Sequence, residues 1–256
     1  MSAPPCPPLC LADDATFWPW LRWPEFSRRP NAAETIVIVP LAGLADWGLG
    51  HALDAEEILL TSVLRAAAQK RPPSLPLLTL PPLRFVLGPE AGCAFAVEPP
   101  VAHALLAEVV GSIATSRFRR VVFFNASPWN EELIAAAARD LRIALGLQIF
   151  RISLSGLGLD LHPTRSPDRR KVQTLLTALT GRAPEPASDF KPPAHERAWG
   201  DESVNPLSEP ALASAAAAAE GAAILAEASA HLLSLLGEIH ARPPLAHGGF
   251  IPVATP

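Results

Sequence analysis

Short apolar segments that alternate with longer helical segments constrain the fold of this chain most. Thr35 to Val39 is a β-branched run that ends before Pro40, and Asp54 to Lys70 then carries apolar residues at helical spacing. The same succession recurs three times, as Leu75 to Leu80 before Val101 to Thr115, Arg120 to Asn125 before Glu131 to Leu145, and Leu147 to Leu154 before Arg169 to Thr180. Continuous apolar strands are buried on both faces, so the pattern predicts an α/β fold. We expect three layers, α/β/α, around a mainly parallel central sheet of about four strands.

Proline clusters divide the 256 residues into one predicted domain and two flanking segments. Residues 1–30 form a proline- and aromatic-rich N-terminal segment, and residues 243–256 form a proline-rich tail. Residues 31–242 are predicted to be a single α/β domain, with a surface loop at 181–205 and a C-terminal helix at 211–241.

The charge balance, the apolar stretches and the cysteine count indicate which partners and which cellular location to expect. Lys and Arg number 21 against 25 Asp and Glu, so the sequence predicts no nucleic-acid partner. Glu220, Glu227 and Glu238 interrupt the most apolar stretch, and the N-terminus lacks the basic start of a secretory signal, so no membrane partner is expected. The three cysteines are an odd number and cannot form a disulfide framework, which favours a cytoplasmic location.

Two loops are the places to look for a binding site. In an open parallel sheet, ligands bind beyond the carboxyl ends of the strands, here after Val39 and after Phe124. The loops read PLAGLADWGLGHALDAE and FNASPWNEE. Their polar and aromatic residues form a candidate ligand pocket of Asp46, Trp47, His51, Asp54, Asn125, Ser127, Trp129 and Asn130.

These loops resemble those of the creatininase (creatinine amidohydrolase) family. That family follows its first strand with Pro-x-Gly-Ser-x-Glu-Gln-His-Gly-Pro-His-Leu-Pro-Leu-x-x-Asp and its third with Asn-Gly-His-x-x-Asn. The positions that keep the family residue are Pro40, Gly48, Leu53, Asp54, Asn125 and Asn130. The resemblance implies a creatininase-like fold, two divalent ions that activate water to hydrolyse a cyclic amide carbon-nitrogen bond, and hexameric enzymes.

Most of the metal ligands that the resemblance implies are replaced in this chain. The family's Glu falls on Ala45 and its following His on Trp47, and its second His falls near Gly50. The third-strand His falls on Ser127, and Trp129 stands where some members have a second-metal Glu. Asp54 is retained, but across a gap two residues shorter, and one carboxylate cannot hold two ions. We therefore predict no metal and no cofactor, and a non-catalytic binding or assembly subunit. Its two indoles would suit a small flat organic ligand.

A substitute metal site is the alternative. Asp54 and His51, with His162 further along the chain, offer ligands for a metal-dependent amidohydrolase with a rearranged ligand set. Against this, Asp54 stands at an expected helix N-cap, and Glu56 and Glu57 would complement the helix dipole as solvated first-turn residues. A third interpretation keeps only the fold and places a different reaction in the same cleft.

No catalytic residue is predicted from nucleophile or phosphate-binding motifs. Ser127 lacks the Gly-x-Ser-x-Gly elbow and is followed by Pro128, which has no N–H to offer an oxyanion. Cys93 has no His or acidic partner at readable spacing, and the glycines of the first loop lack the P-loop and dinucleotide patterns.

The N-terminal segment carries an aromatic cluster that suggests assembly. Phe17, Trp18, Trp20, Trp23 and Phe26 fall within ten residues, and such side chains bury on the order of 150 to 250 Å² each. We expect this segment to pack on its own domain and on a neighbouring subunit. The predicted partner is therefore another copy of the chain in a homo-oligomer, with the hexamer that the family resemblance implies.

Overall fold

A parallel sheet of five strands forms the middle of the fold in the computed structural model, which describes residues 16–87, 93–94, 96–162, 169–185, 214–243 and 245. The strands are β1 (Ile36–Ala42), β2 (Leu44–Ala45), β3 (Leu77–Thr79), β4 (Leu83–Arg84), β5 (Val86–Leu87), β6 (Cys93–Ala94), β7 (Ala96–Val97), β8 (Arg120–Asn125) and β9 (Gln148–Ser153). The helices are α1 (Trp23–Ser27), α2 (Ala55–Lys70), α3 (Pro99–Thr115), α4 (Glu131–Leu145), α5 (Arg169–Thr180) and α6 (Ser214–Ala241). The main sheet has the order β3-β1-β8-β9, and β4 extends it by pairing with the end of β1.

Helices cover both faces of this sheet. On one face, Ile36 and Ile38 of β1 join a buried cluster with residues of α2, α5 and α6. On the other face, Val37 and Val39 join a second cluster with α3 and α4. Two buried cores separated by one parallel sheet confirm the predicted three-layer α/β fold.

The main strands and helices lie close to their predicted positions, with one instructive difference. The first strand was expected to end before Pro40, but β1 continues through it to Ala42. Pairing with β3 ends at Ile38, and pairing with β4 begins only at Leu41. Pro40 therefore lies between two neighbours on that edge, where its missing N–H costs no ladder hydrogen bond. The main sheet also has a fifth strand, since β4 was not predicted.

Helix α6 packs along α5 and α2 at the outside of one layer. Gly221 makes this close approach possible, since a Cβ there would lie 2.3 Å from the Cβ of Ala178. By length and composition alone, residues 216–241 could also cross a membrane, and 33% of that apolar stretch is buried in the fold. A core helix of a soluble protein passes the same test, so the absence of a membrane partner stays a prediction.

The described part of the N-terminal segment is divided between buried and exposed aromatic rings. Phe17 is buried and bridges Thr79 of β3, and Trp18 lies against Phe118 with ring centroids 5.3 Å apart. Trp20 and Trp23 are 49% and 75% exposed. Residues 1–15, 186–205 and most of the tail lie outside the described residues, so the domain boundaries at 1–30, 31–242 and 243–256 stay predictions.

Candidate functional site

A crevice between β1 and β8 holds the candidate site. After β1 the chain enters α2 on one face of the sheet, and after β8 it enters α4 on the opposite face. Loops that leave adjacent parallel strands toward opposite faces open a crevice at the carboxyl edge of a sheet. Both loops named from the sequence therefore border the same place.

A buried carboxyl group lies in this crevice. Glu56, in the first turn of α2, is 0% exposed, and its Oε2 accepts a hydrogen bond from the backbone N–H of Gly43. A Cβ on Gly43 would lie 3.2 and 3.3 Å from the two carboxyl oxygens of Glu56. Contacts this short are tighter than ordinary van der Waals separations, so the absence of a side chain at Gly43 makes room for the carboxyl group.

Two further buried polar groups face this carboxyl. The indole Nε1 of Trp47 and the Oγ of Ser127 are buried and reach no hydrogen-bond partner with good geometry among the described residues, and neither does Oε1 of Glu56. Burial raises the pKa of Glu56 to about 7, and the N–H of Gly43 and the nearby Ser127 and Trp47 groups limit that rise. The two donors therefore lie close enough to interact with the carboxyl, although neither completes a regular hydrogen bond.

Three rings form a column beside the carboxyl. Trp47 and Trp129 stack with centroids 6.0 Å apart and planes 18° apart, and Trp129 meets His162 at 4.9 Å with a 54° tilt. The guanidinium of Arg169 donates to the backbone oxygen of Trp47 and holds that residue in place. The two indoles therefore stack on each other, and a planar ligand between them would need ring planes about 7 Å apart.

The side chains of both asparagines of the candidate pocket form hydrogen bonds with backbone groups. Asn125 donates from Nδ2 to the Ser127 oxygen at 2.7 Å, and its Oδ1 accepts from the Ser127 N–H at 3.3 Å. Asn130 donates to the Phe85 oxygen and accepts from the Leu87 N–H, both at 3.0 Å. These amide groups fix the loop after β8 and the connection to β5, so they are already engaged.

The remaining predicted residues lie around the start of α2. Asp46 is exposed and accepts from the Gly48 N–H at 2.8 Å. His51 lies with Nε2 3.3 Å from Thr177 Oγ1, and burial lowers its pKa. Asp54 occupies the predicted N-cap position of α2, but its side chain makes no capping bond, and its Oδ1 is buried without a partner among the described residues.

The first-turn glutamates of α2 are not solvated, contrary to the expectation. Glu56 is fully buried in the crevice, and Glu57 is buried in a bidentate pair with Arg84 of β4, at 2.6 and 2.8 Å. The start of α2 packs against the extension of the sheet instead of projecting into water. Because β4 itself was not predicted, its arginine could not be assigned to Glu57.

Glu56 is the residue of the site that the sequence interpretation missed, although a signal was present. Residues three, four and seven positions after Glu56 are Leu59, Leu60 and Val63, and all are buried. A helical position in register with these residues faces the core. A glutamate in such a register is unusual because a buried carboxyl needs partners, and that conflict could have marked it.

Comparison with known proteins places the chain in a family. The sequence profile described as creatininase, creatinine amidohydrolase, matches residues 20–183. This chain belongs to the creatininase family. None of the curated proteins matches it.

Solved structures of creatininases share its fold. A creatinine amidohydrolase (creatininase) is 19% identical with a TM-score of 0.64, and the match covers 90% of this chain and 99% of that chain. A creatininase variant complexed with creatine and a creatininase described with Mn each give 18% identity and a TM-score of 0.62, covering 89% of this chain and 100% of theirs. At these identities the likeness shows the fold alone.

At Trp47, Ser127 and Trp129, where the family resemblance implies metal ligands, the side chains do not fit a dinuclear metal centre. Trp47 and Trp129 offer indole rings, whose N–H is only a donor, and Ser127 offers one neutral hydroxyl. Among the residues that the structure describes, no three His, Cys, Asp or Glu side chains converge as a metal-binding group. Divalent ions of the zinc and manganese type need several nitrogen or oxygen ligands each, and this donor set does not supply them.

Proposed function

We propose that this member of the creatininase family is a non-catalytic subunit that has lost the dinuclear metal site of the family's enzymes. One observation carries the proposal: the side chains at two former ligand positions, Trp47 and Ser127, lie around a buried carboxyl group. Hydrolysis of an amide through metal-bound water requires ions held at that place. An indole and a hydroxyl facing Glu56 leave no ligand set for them.

Assembly is the favoured role over binding of a small flat ligand. Trp47 and Trp129 stack on each other, so a planar molecule would have to separate them before it could enter. By contrast, Trp20 and Trp23 expose large apolar surfaces, which are costly to leave in water. Trp23 borders a groove of about 600 Å³ that also includes Trp18, Leu80 and Ile113. We propose that this face joins copies of the chain in a homo-oligomer, with a hexamer as the family's assembly implies.

Turnover of cyclic amides tests the loss of activity. The purified full-length protein is expected not to hydrolyse creatinine, with or without added Mn²⁺ or Zn²⁺, because the crevice offers no residue set to generate hydroxide at neutral pH. Product formation is measured by chromatography against a creatininase as positive control. Steady metal-dependent turnover would refute the proposal.

A second candidate function is a metal-dependent amidohydrolase with a rearranged ligand set. The observation that favours it is Asp54, which matches the family residue and has a buried Oδ1 without a partner in the described part of the chain. His51 lies close enough for the Asp54 charge to raise its pKa, against the larger effect of burial. If this alternative holds, Asp54→Ala and His51→Ala each abolish turnover that added metal supports. Under the main proposal there is no turnover for either change to remove.

Light scattering tests assembly on the full chain. Replacing Trp20 and Trp23 with Ser is expected to reduce the measured mass toward 27.1 kDa, because the exposed rings form the core of the interface. Ile143→Ser is the control, since Ile143 on α4 is 78% exposed and does not line this groove. A wild-type protein that is monodisperse at the mass of one chain at micromolar concentration would refute the assembly.

A further inference from the structure

The two loops that border the crevice between β1 and β8 have little direct backbone connection in this chain. They run to opposite faces of the sheet, so the backbone ladder does not join them beyond the contact between Ala126 N–H and the Leu41 oxygen, at 2.9 Å. A metal ion could connect two such loops if both supplied ligands to it, since metal binding stabilises the fold that holds it. A chain without the ions needs another group to hold the crevice closed.

Glu56 is placed to be that group. Its carboxyl accepts from Gly43, which directly follows β1, and it faces Trp47 of the same loop and Ser127, which follows β8. Trp47 and Ser127, from the loops after β1 and β8, thus both lie close to one carboxyl, although neither completes a regular hydrogen bond with it. We infer that the Glu56 carboxyl is the internal replacement for the metal centre, joining the loops after β1 and β8 through Gly43, Trp47 and Ser127. This inference rests on the proposed loss of the metal site.

The fit between Glu56 and Gly43 supports a dedicated role. A Cβ at position 43 would lie 3.0 Å from the Cβ of Val86 and within 3.3 Å of both carboxyl oxygens, so a larger residue would displace the carboxyl. Without the carboxyl, the buried N–H of Gly43 would lose its acceptor, and the Trp47 indole N–H and Ser127 hydroxyl, which lie near it, would be left beside no acceptor group. The carboxyl is therefore bonded to Gly43 and lies beside two buried donor groups that no described side chain satisfies.

Thermal unfolding of the full chain at pH 6 tests the inference. Glu56→Gln keeps an acceptor oxygen of the same reach and does not ionise, so we expect its Tm at pH 6 not to fall below that of the wild type. Glu56→Leu keeps the volume but removes the acceptor, and we expect a Tm lower by about 5 to 10 °C. Glu132→Leu is the matched control, since Glu132 is an exposed first-turn glutamate of α4, and its Tm should not fall.

Each outcome supports or overturns the inference. A Leu variant as stable as the wild type would show that the loops do not depend on the carboxyl. A Gln variant as unstable as the Leu variant would show that hydrogen-bond acceptance is not its contribution. If Mn²⁺ or Zn²⁺ raised the wild-type Tm but not that of Asp54→Ala, the crevice would bind metal ions. That result would overturn the proposed function as well. The first two results would overturn only the role of Glu56.

Discussion

Two buried ionisable side chains, Arg120 and Glu56, lie near opposite ends of the strands of the central sheet, and their hydrogen bonding differs. Arg120 opens β8, is 3% exposed, and donates to the backbone oxygens of His240 and Arg242 at 2.8 and 2.7 Å and to Gln148 Oε1 at 3.0 Å. Glu56 accepts one hydrogen bond, from the Gly43 N–H, and its Oε1 has no partner in the described residues. All three guanidinium nitrogens of Arg120 donate hydrogen bonds, whereas one carboxyl oxygen of Glu56 accepts none from the described residues.

Arg120 anchors the fold, whereas Glu56 lies in the candidate functional site. Arg120 lies where the last turn of α6 ends, so its guanidinium satisfies carbonyl groups that the helix leaves without partners. Gln148 extends this anchor by donating to the Pro243 oxygen at 2.8 Å. Under the proposed function, Glu56 fills a site that once held other groups, and imperfect hydrogen bonding is expected in a site of that kind.

The largest effect is expected at the arginine. Arg120→Ala should lower the free energy of unfolding by about 3 kcal/mol, because it leaves two backbone oxygens and the Gln148 amide without their donor. Urea unfolding measures it, with Arg119→Ala as the control. Arg119 is exposed and makes one long bond to the Ala114 oxygen at 3.3 Å, so its loss should cost less than about 0.5 kcal/mol. Equal losses of unfolding free energy in the two variants would show that the buried Arg120 stabilises the fold no more than the exposed Arg119.

The second effect is a pH dependence that belongs to Glu56. Burial raises its pKa from 4.5 to about 7, so between these values the folded chain holds a proton that the unfolded chain has released. The contribution to stability is complete below about pH 4.5 and is lost as the pH rises toward 7, amounting to roughly 2 to 3 kcal/mol.

Glu56→Gln should remove this dependence. Unfolding free energies of the wild type and the variant, measured in urea at pH 5 and pH 8, should converge at the acid value and diverge at the alkaline one, where the variant is the more stable. Parallel curves for the two proteins would mean that Glu56 does not titrate in this range.

A smaller effect is expected at the glycine under the carboxyl. Gly43→Ala should destabilise the protein by about 1 to 3 kcal/mol, because the new methyl group meets Val86 and the Glu56 oxygens. Gly111→Ala is the control, since a Cβ at Gly111 in α3 meets nothing within 4 Å and should add about 0.5 to 1 kcal/mol of stability. A neutral Gly43→Ala would show that the carboxyl can move away freely, which would weaken the view of a tightly filled crevice.

The sequence predicts the fold well because the fold depends on local patterns. The strand RVVFFN and the helix after it were placed at the observed residues, Arg120–Asn125 and Glu131–Leu145, since apolar runs and helical spacing are local signals. The two-residue strand β4 was missed because it has no pattern of its own and forms only by pairing with the end of β1. With it, the pairing of Arg84 and Glu57 was missed.

The candidate site could be predicted only in part. The family resemblance drew attention to Trp47, Ser127 and Trp129, and the structure brings Trp47 together with Trp129, and Ser127 close to Glu56. It could not show that Asn130 is occupied by the backbone of Phe85 and Leu87, because those contacts join positions more than 40 residues apart. Arg120 likewise contacts His240 of α6, which lies 120 positions further along the chain, and no local sequence pattern predicts such a contact.

Metal content tests the central claim most directly. The full-length protein, purified without chelators, equilibrated with Zn²⁺ or Mn²⁺ and then desalted, would be analysed for bound metal by elemental analysis. A crevice filled by the Glu56 carboxyl predicts far less than one equivalent per chain, unchanged in Asp54→Ala, because the indoles and hydroxyl at the former ligand positions cannot hold ions. One or two equivalents per chain, lost in Asp54→Ala, would contradict the account.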